Sequence, residues 1–361
     1  MSVRLLGAML LALGLTTSAE AADYFKGRTI TILVGYAAGG PQDLTARMFA
    51  QYLSKHLAGA PNVIVSNMAG ASAIRAHNVL AEGSKGDGET ILWTPWQPVA
   101  QILDSPGVRF KYQDFAVIGM FHIPGFFVYA RNDAVPGGIR SGGDVTKIKP
   151  IRFGGGSAQA GYDMHATLSF KLFGLPYTHV TGYRGSADQR AAIMRNEINA
   201  TADVGATIPS VLEDTLFKPG IAKVLYGFPM EGENGQWVKD PTLAAYPTVM
   251  DVYRQLHGKV PSGPSWDTLA LLMKLYTLTQ MVAAPPSTPK PVADELRQAY
   301  RAVLADPAFK ADYGKRFDFV PEPAPDALVQ RTIASLGTVD PAAVAALRAH
   351  VEAKTSDKPA P

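Results

Sequence analysis

The chain has 361 residues, of which 47% are hydrophobic and 18% charged, with a formal net charge of +3 and no cysteine. At about 150 residues per domain the length suits two domains, each able to bury its own core. The charge is too near neutral for a nucleic-acid binder, and the lack of cysteine excludes disulfides, Fe–S clusters, thiolate zinc sites and a cysteine nucleophile. Residues 1–22 read as a secretory signal peptide. Arg4 gives a positive start, Leu5–Leu15 an apolar stretch, and Ala19-Glu20-Ala21 a small-x-small cleavage site. The apolar stretch falls short of the roughly 20 residues that span a bilayer. Cleavage after Ala21 leaves a chain beginning near Asp23, with no cysteine to carry a lipid. A soluble protein exported to the periplasm is expected.

Thr29–Tyr36 is a β-branched run that ends in Ala37-Ala38-Gly39-Gly40-Pro41. A helical pattern follows, with Leu44, Met48 and Tyr52 one turn apart and Phe49 and Leu53 widening the stripe. Asn62–Ser66 reads as a strand, Ser72–Ala81 as a helix, and Gly86-Asp87-Gly88 turns the chain into the strand Thr90–Trp93. Strand, glycine turn and helix recur over Ile151–Phe173, where Gly154-Gly155-Gly156-Ser157 precedes Met164, Leu168 and Leu172. Tyr177–Val180, Ala187–Arg195, Ala200–Val204 and Ile208–Phe217 continue the alternation, which implies parallel sheets covered on both faces. Beyond Thr248 the pattern predicts helices over Trp266–Leu278, Lys290–Leu304, Pro307–Arg316, Pro325–Leu336 and Pro341–Ala353. Residues 355–361 read as a polar, flexible tail.

The two glycine turns occupy equivalent points of two similar lobes. The start of a helix leaves backbone N–H groups unpaired and carries partial positive charge, so it receives an anion without a cationic side chain. Pro41 has no N–H, which leaves Gly39, Gly40 and Gln42 as donors, while Asp43 serves the first helical turn. Gly154–Ser157 begins like GxGxxG, but Gln159 stands at the position of that pattern's last glycine and also breaks GxSxG, so the segment is neither a dinucleotide fingerprint nor a hydrolase elbow. No histidine pair has metal spacing, and no cofactor or metal is expected. His165 is the one histidine that falls near a turn, as a site residue or as packing. Trp93 and Trp96 follow the C-terminal end of a strand, where they form an aromatic ligand wall or fill the core.

The segment Gly35–Asp43 with Ala46-Arg47 resembles the first turn of Bug-type receptors, the extracytoplasmic solute-binding proteins of tripartite tricarboxylate transporters. Val63–Asn67 with Gly70-Ala71-Ser72, Gly86–Gly88, Gly154–Ser157 with His165, and Val180–Ser186 match that family in order. So do Asn196–Ala200 with Asp203, Pro247-Thr248 and Ala284–Pro289. Ala73 stands where many members have glycine, and Gly182-Tyr183-Arg184 replaces the more usual Pro-Tyr-Lys.

The resemblance implies an α/β, type II periplasmic binding-protein fold: two lobes, a crossover hinge and a ligand cleft. Lobe 1 is expected over 23–127 and 228–354, and lobe 2 over 128–227. By position, one carboxylate of the ligand would meet Gly39, Gly40, Gln42, Gly70, Ala71 and Ser72. The other would meet Gly155, Gly156, Ser157, Tyr183 and Asp203, with Asp203 orienting a water or a donor, since like charges repel. The function implied is capture of an organic carboxylate, aromatic if Trp93 and Trp96 face the ligand, by a non-enzymatic monomer that delivers it to membrane subunits of the transporter. Two alternatives are a sensor that docks on a histidine kinase and a periplasmic hydrolase, for which no nucleophile with a base is evident.

Overall fold

The structure is a computed structural model that describes residues 24–70, 73–123, 125–183, 185–232, 234–317 and 319–355. The expected signal peptide and the tail from residue 356 lie outside the described residues. The chain forms two compact units. The first holds the described residues up to His122, Leu278–Arg316 and Val320–Ala334. The second holds Ile123–Thr277, Phe317–Phe319 and the described residues from Ser335. Relative to the expected lobes, 123–127, 228–277 and the last helix sit with the second unit.

The first unit begins with strand β1 (Thr29–Val34), where Ile30, Ile32, Leu33 and Val34 are buried. Helix α1 (Pro41–His56) follows, with Pro41 in its first turn, where the missing N–H costs nothing. Strands β2 (Asn62–Asn67) and β3 (Thr90–Pro95) run parallel to β1 on either side of it. The helix expected from residue 72 is shorter, Ile74–Asn78, and widens into a π-type turn over Val79–Gly83. Strand β4 (Ala116–Phe121) ends this pass.

The second unit opens with β5 (Phe126–Arg131) and continues with β6 (Ile151–Gly154), helix α2 (Gly161–Leu172) and β7 (Tyr177–Val180). Helix α3 (Ser186–Met194), β8 (Ala200–Val204) and β9 (Ala222–Gly227) complete its sheet, ordered β7-β6-β8-β5-β9. A small antiparallel pair, β10 (Met230–Glu231) with β11 (Trp237–Val238), precedes helix α4 (Pro264–Leu275), which packs on α2. The Trp237 ring meets Trp266 edge-on at 6.0 Å. The chain then returns to the first unit as β12 (Gln280–Ala284), giving the sheet order β2-β1-β3-β12-β4. Helix α5 (Lys290–Ala305) packs on β4 and α1. Helix α6 (Asp326–Ser335) belongs to the first unit, and α7 (Pro341–Thr355) packs on α4 in the second.

The expectation of parallel sheets needs correction. β12 is antiparallel to both β3 and β4, and β5 is antiparallel to both β8 and β9, so each sheet is mixed. Both reversed strands come directly after the chain passes from one unit into the other, and neither has the helical crossover that forces parallel pairing.

Candidate functional site

In the first unit the turn between β1 and α1 is shaped by glycine and braced by the helix it starts. Gly39 takes φ +81°, a left-handed value that glycine adopts without strain. Its N–H donates to Asp43 Oδ2 at 2.8 Å, so this amide is engaged within the turn. Asp43, the third residue of α1, is buried and pairs with Arg47 at 2.9 Å. The Arg47 guanidinium is the main cause that holds its carboxyl below the ordinary aspartate range. Arg47 also donates to Asn67 Oδ1 at 3.3 Å, and Asn67 Nδ2 donates to the Tyr36 carbonyl at 3.1 Å, which ties the turn to the end of β2.

Gly40 is the residue before α1, and no side chain caps that helix start. The Gln42 side-chain oxygen lies 3.1 Å from the amide of Gln280, oriented to donate to it. Gly70 is exposed at φ +145°, and its carbonyl accepts the Ala73 amide at 3.0 Å. Ala71 and Ser72 lie outside the described residues. Ala73 adopts φ +73°, a left-handed conformation that favours glycine over a residue with a Cβ. A methyl group on Gly35 would come within 2.3 Å of Ala73 Cβ, so the end of β1 and this second turn touch backbone to backbone.

Of the two readings open to Trp93 and Trp96, ligand wall or core, the structure favours packing. Both are buried, at 0% and 1% exposure. Trp93 stacks on Phe49 of α1 at 4.5 Å and donates to Thr45 Oγ1 at 3.0 Å, while Trp96 packs against Tyr112 at 5.4 Å. β3 is the middle strand of its sheet, hydrogen-bonded along both edges, and its four central residues, Trp93 among them, are buried.

The second unit repeats the device of the first. Gly154–Ser157 leads from β6 toward α2, and the third residue of α2 is again a buried aspartate, Asp163. The Ser157 amide donates to Asp163 Oδ2 at 3.0 Å, and the Gly156 amide is engaged with the same carboxylate. A side chain at Gly155 would collide with Asp163 at 2.1 Å, so only glycine fits. His179 Nε2 stands 3.3 Å from Asp163 Oδ2. Burial, the largest influence, pushes the Asp163 carboxyl above its ordinary range, against the opposing pull of His179. The Tyr183 amide donates to the Gly155 carbonyl at 3.3 Å and that of Gly182 to Gly156 at 3.2 Å, so Tyr183 joins the turn. Burial also raises the Tyr183 hydroxyl. Ser157 itself is exposed, and no side chain caps the start of α2.

Asp203, at the end of β8, is buried and turned toward its own unit. It accepts the Ser186 hydroxyl at 3.0 Å and the Val204 amide at 2.9 Å, with Arg190 Nη1 at 3.4 Å. Burial raises its carboxyl. His165 belongs to the packing below α2: its Nδ1 lies 2.6 Å from the Gly161 carbonyl, and burial pushes the ring down to about 4.

Sequence reasoning paired the two glycine turns but missed that Asp163 repeats Asp43. The signal was present, an aspartate at the third helical position after each turn. The supports from Asn67, His179, Ser186 and Arg190 come from other elements, so no spacing marks them.

No protein-family model matches the chain. A UPF0065 protein of Agrobacterium vitis, from the TAR-I ttuE-ttuC' intergenic region, is 24% identical over 314 residues, covering 85% of this chain and 80% of its own. Among solved structures, a TctC solute binding protein from Polaromonas is similar with a TM-score of 0.63 and 18% identity, over 90% of this chain and 98% of that one. The periplasmic binding protein BugD follows at TM-score 0.57 and 20% identity, over 91% and 97%. An R. palustris protein solved with adipate has a TM-score of 0.60 and 17% identity, over 91% and 97%. The resemblance read from the motifs therefore holds at the level of the whole fold.

Proposed function

We propose that this chain, which has the α/β fold of the TctC and BugD solute-binding proteins, is itself a periplasmic receptor for an organic carboxylate, exported by its first 22 residues. The observation that carries the reading is the duplicated turn. Each unit presents a glycine turn and a helix start with no capping side chain, and each turn is braced from behind by a buried aspartate at the third helical position. Backbone donors of this kind bind carboxylate oxygens at fixed positions and carry no mobile charge of their own.

In this reading Gly40, Gln42 and the turn from Gly70 through Ser72 serve one carboxylate, and the exposed Ser157 hydroxyl with the start of α2 serves another, the Gly156 and Ser157 amides being held by Asp163. The Gly39 amide and Asp43, together with Asp163 and Asp203, shape the turns without touching the ligand. Closure of the two units on the ligand is the event that would present the protein to transporter membrane subunits. The chain then needs no nucleophile, and it works as a monomer without a cofactor. A thermal-shift screen of the mature protein against malate, adipate, succinate, citrate and benzoate tests this. A ligand that binds only the folded state raises the midpoint, by an equivalent of about 2.7 kcal/mol at a hundred times Kd. No shift with any acid, from protein shown to be folded and ligand-free, rejects the receptor reading.

A further inference from the structure

The first unit holds a cavity of about 680 Å³ over the outer edge of β4, between α5 and α6, and none of the glycine-turn residues lines it. That volume falls in the range of small-molecule sites. Its floor is apolar: Phe115, Ile118, Val329 and Ile333 line it, each with only 4–9% of its surface open. Helix α6 is tied down at both ends of the opening. At its start Pro323 bridges to Phe121, the Ala324 amide donates to the Met120 carbonyl at 2.9 Å, and Asp326 pairs with Arg301 of α5. At its end the Ile333 carbonyl accepts Gln113 Nε2 at 3.4 Å. The cavity opens between these ties, so it is built into the fold. On its other side α5 lies directly on β4, where a Cβ at Gly119 would stand 2.2 Å from the Tyr300 ring.

β4 is the last strand of its sheet, and its outer edge is closed to a further strand. Arg297 Nε donates to the Val117 carbonyl at 2.9 Å, and the Ala324 amide holds that of Met120. The register passes from Gly119 straight to Val117, which leaves Ile118 as a bulge. The cavity therefore suits a small molecule better than a peptide strand. Its charged residues are three cations, Lys290, Arg297 and Arg301, and two aspartates, Asp294 and Asp326. Lys290 and Arg297 share Asp294, and Arg301 pairs with Asp326, so one positive charge is left over. Arg297 is fixed through Nε and through Nη1, which donates to Asp294 at 2.7 Å, and its Nη2 has no partner among the described residues. Arg301 uses only Nη2, on Asp326. Guanidinium donors held in place thus stand beside an apolar floor.

We infer that this cavity is a second binding site, for a fatty carboxylate, with the head on Arg297 and Arg301 and the chain on Phe115, Ile118, Val329 and Ile333. A guanidinium fork matches the two oxygens of a carboxylate, and each methylene that leaves water adds to affinity. A chain with a cationic head would meet the surplus positive charge. The site goes beyond the receptor reading, since it lies within one unit and shares no residue with either glycine turn.

Isothermal titration of the mature protein with decanoate, and with decyltrimethylammonium as the opposite charge, tests this. It is repeated on Val329→Trp, which fills the cavity, on Arg301→Gln, and on Gly40→Val, which blocks the first glycine turn instead. A near-UV spectrum confirms that each is folded. Decanoate should bind wild type and Gly40→Val within twofold of each other, and the ammonium at least tenfold more weakly. Val329→Trp should weaken decanoate at least tenfold, and Arg301→Gln about three- to tenfold, the scale of one charge-assisted hydrogen bond. No heat with decanoate, equal binding of the ammonium, or unchanged affinity in folded Val329→Trp overturns the inference. Should Val329→Trp fail to fold, unchanged affinity in Arg301→Gln overturns it. Loss of decanoate binding in Gly40→Val also overturns it, because the acid then sits at the glycine turn, and the receptor reading stands.

Discussion

At Gly40 the backbone is ordinary, with φ −79°, and a Cβ built there would meet only the Ala37 carbonyl, at 3.5 Å. Gly40→Val therefore fits the fold while filling the approach to the uncapped start of α1. Affinity for the ligand found in the screen should fall more than tenfold in titration. Urea unfolding should show a loss of no more than about 1 kcal/mol, the scale of a poorer helix cap. Gly39 does not make as clean a test, since its φ of +81° would strain any other residue. Trp93 and Trp96 show the limit of residue-by-residue reading. Their position after a strand was legible, but whether a ring at a strand end faces solvent or core depends on the neighbouring strands, and β12 arrives from nearly 190 residues further on.

At the scale of elements, each turn and the helix after it form one braced unit. Asp43→Ala removes both the Gly39 amide bond and the Arg47 ion pair, and should cost about 1–3 kcal/mol at pH 7 by urea denaturation. Arg47 depresses the folded-state pKa of Asp43, so its contribution is complete above the ordinary aspartate value and is lost as the pH falls through the folded one. The gap between wild type and variant should accordingly narrow at pH 3. A gap of equal size at both pH values would show that the carboxylate charge is not what braces the turn. Asp163 has the opposite sign: burial raises it, so its contribution is fullest in acid and declines as the pH rises through its folded value.

The same scale explains what the sequence disclosed. Tyr177–Val180, Ala200–Val204 and the glycine turns were legible because periodicity, turn residues and helix starts are all local. β12 was not, since Gln280–Ala284 is buried at every position and such a run lacks the alternation that separates strand from buried helix.

At the scale of the whole molecule, the chain passes between the units at 122–123 and at 277–278, and again around 317–319 and 335. Neither unit is therefore one continuous stretch, and every experiment above uses the full mature chain. The tryptophans are shared evenly, Trp93 and Trp96 in the first unit and Trp237 and Trp266 in the second. The first pair is buried and the second partly open. The double variant Trp237→Phe/Trp266→Phe should emit at shorter wavelength and resist acrylamide quenching more than Trp93→Phe/Trp96→Phe. Equal quenching would contradict the burial of the first pair. Evolution has thus left each half of the molecule with its own lamp, and switching off one pair at a time lets the melting of either half be watched alone.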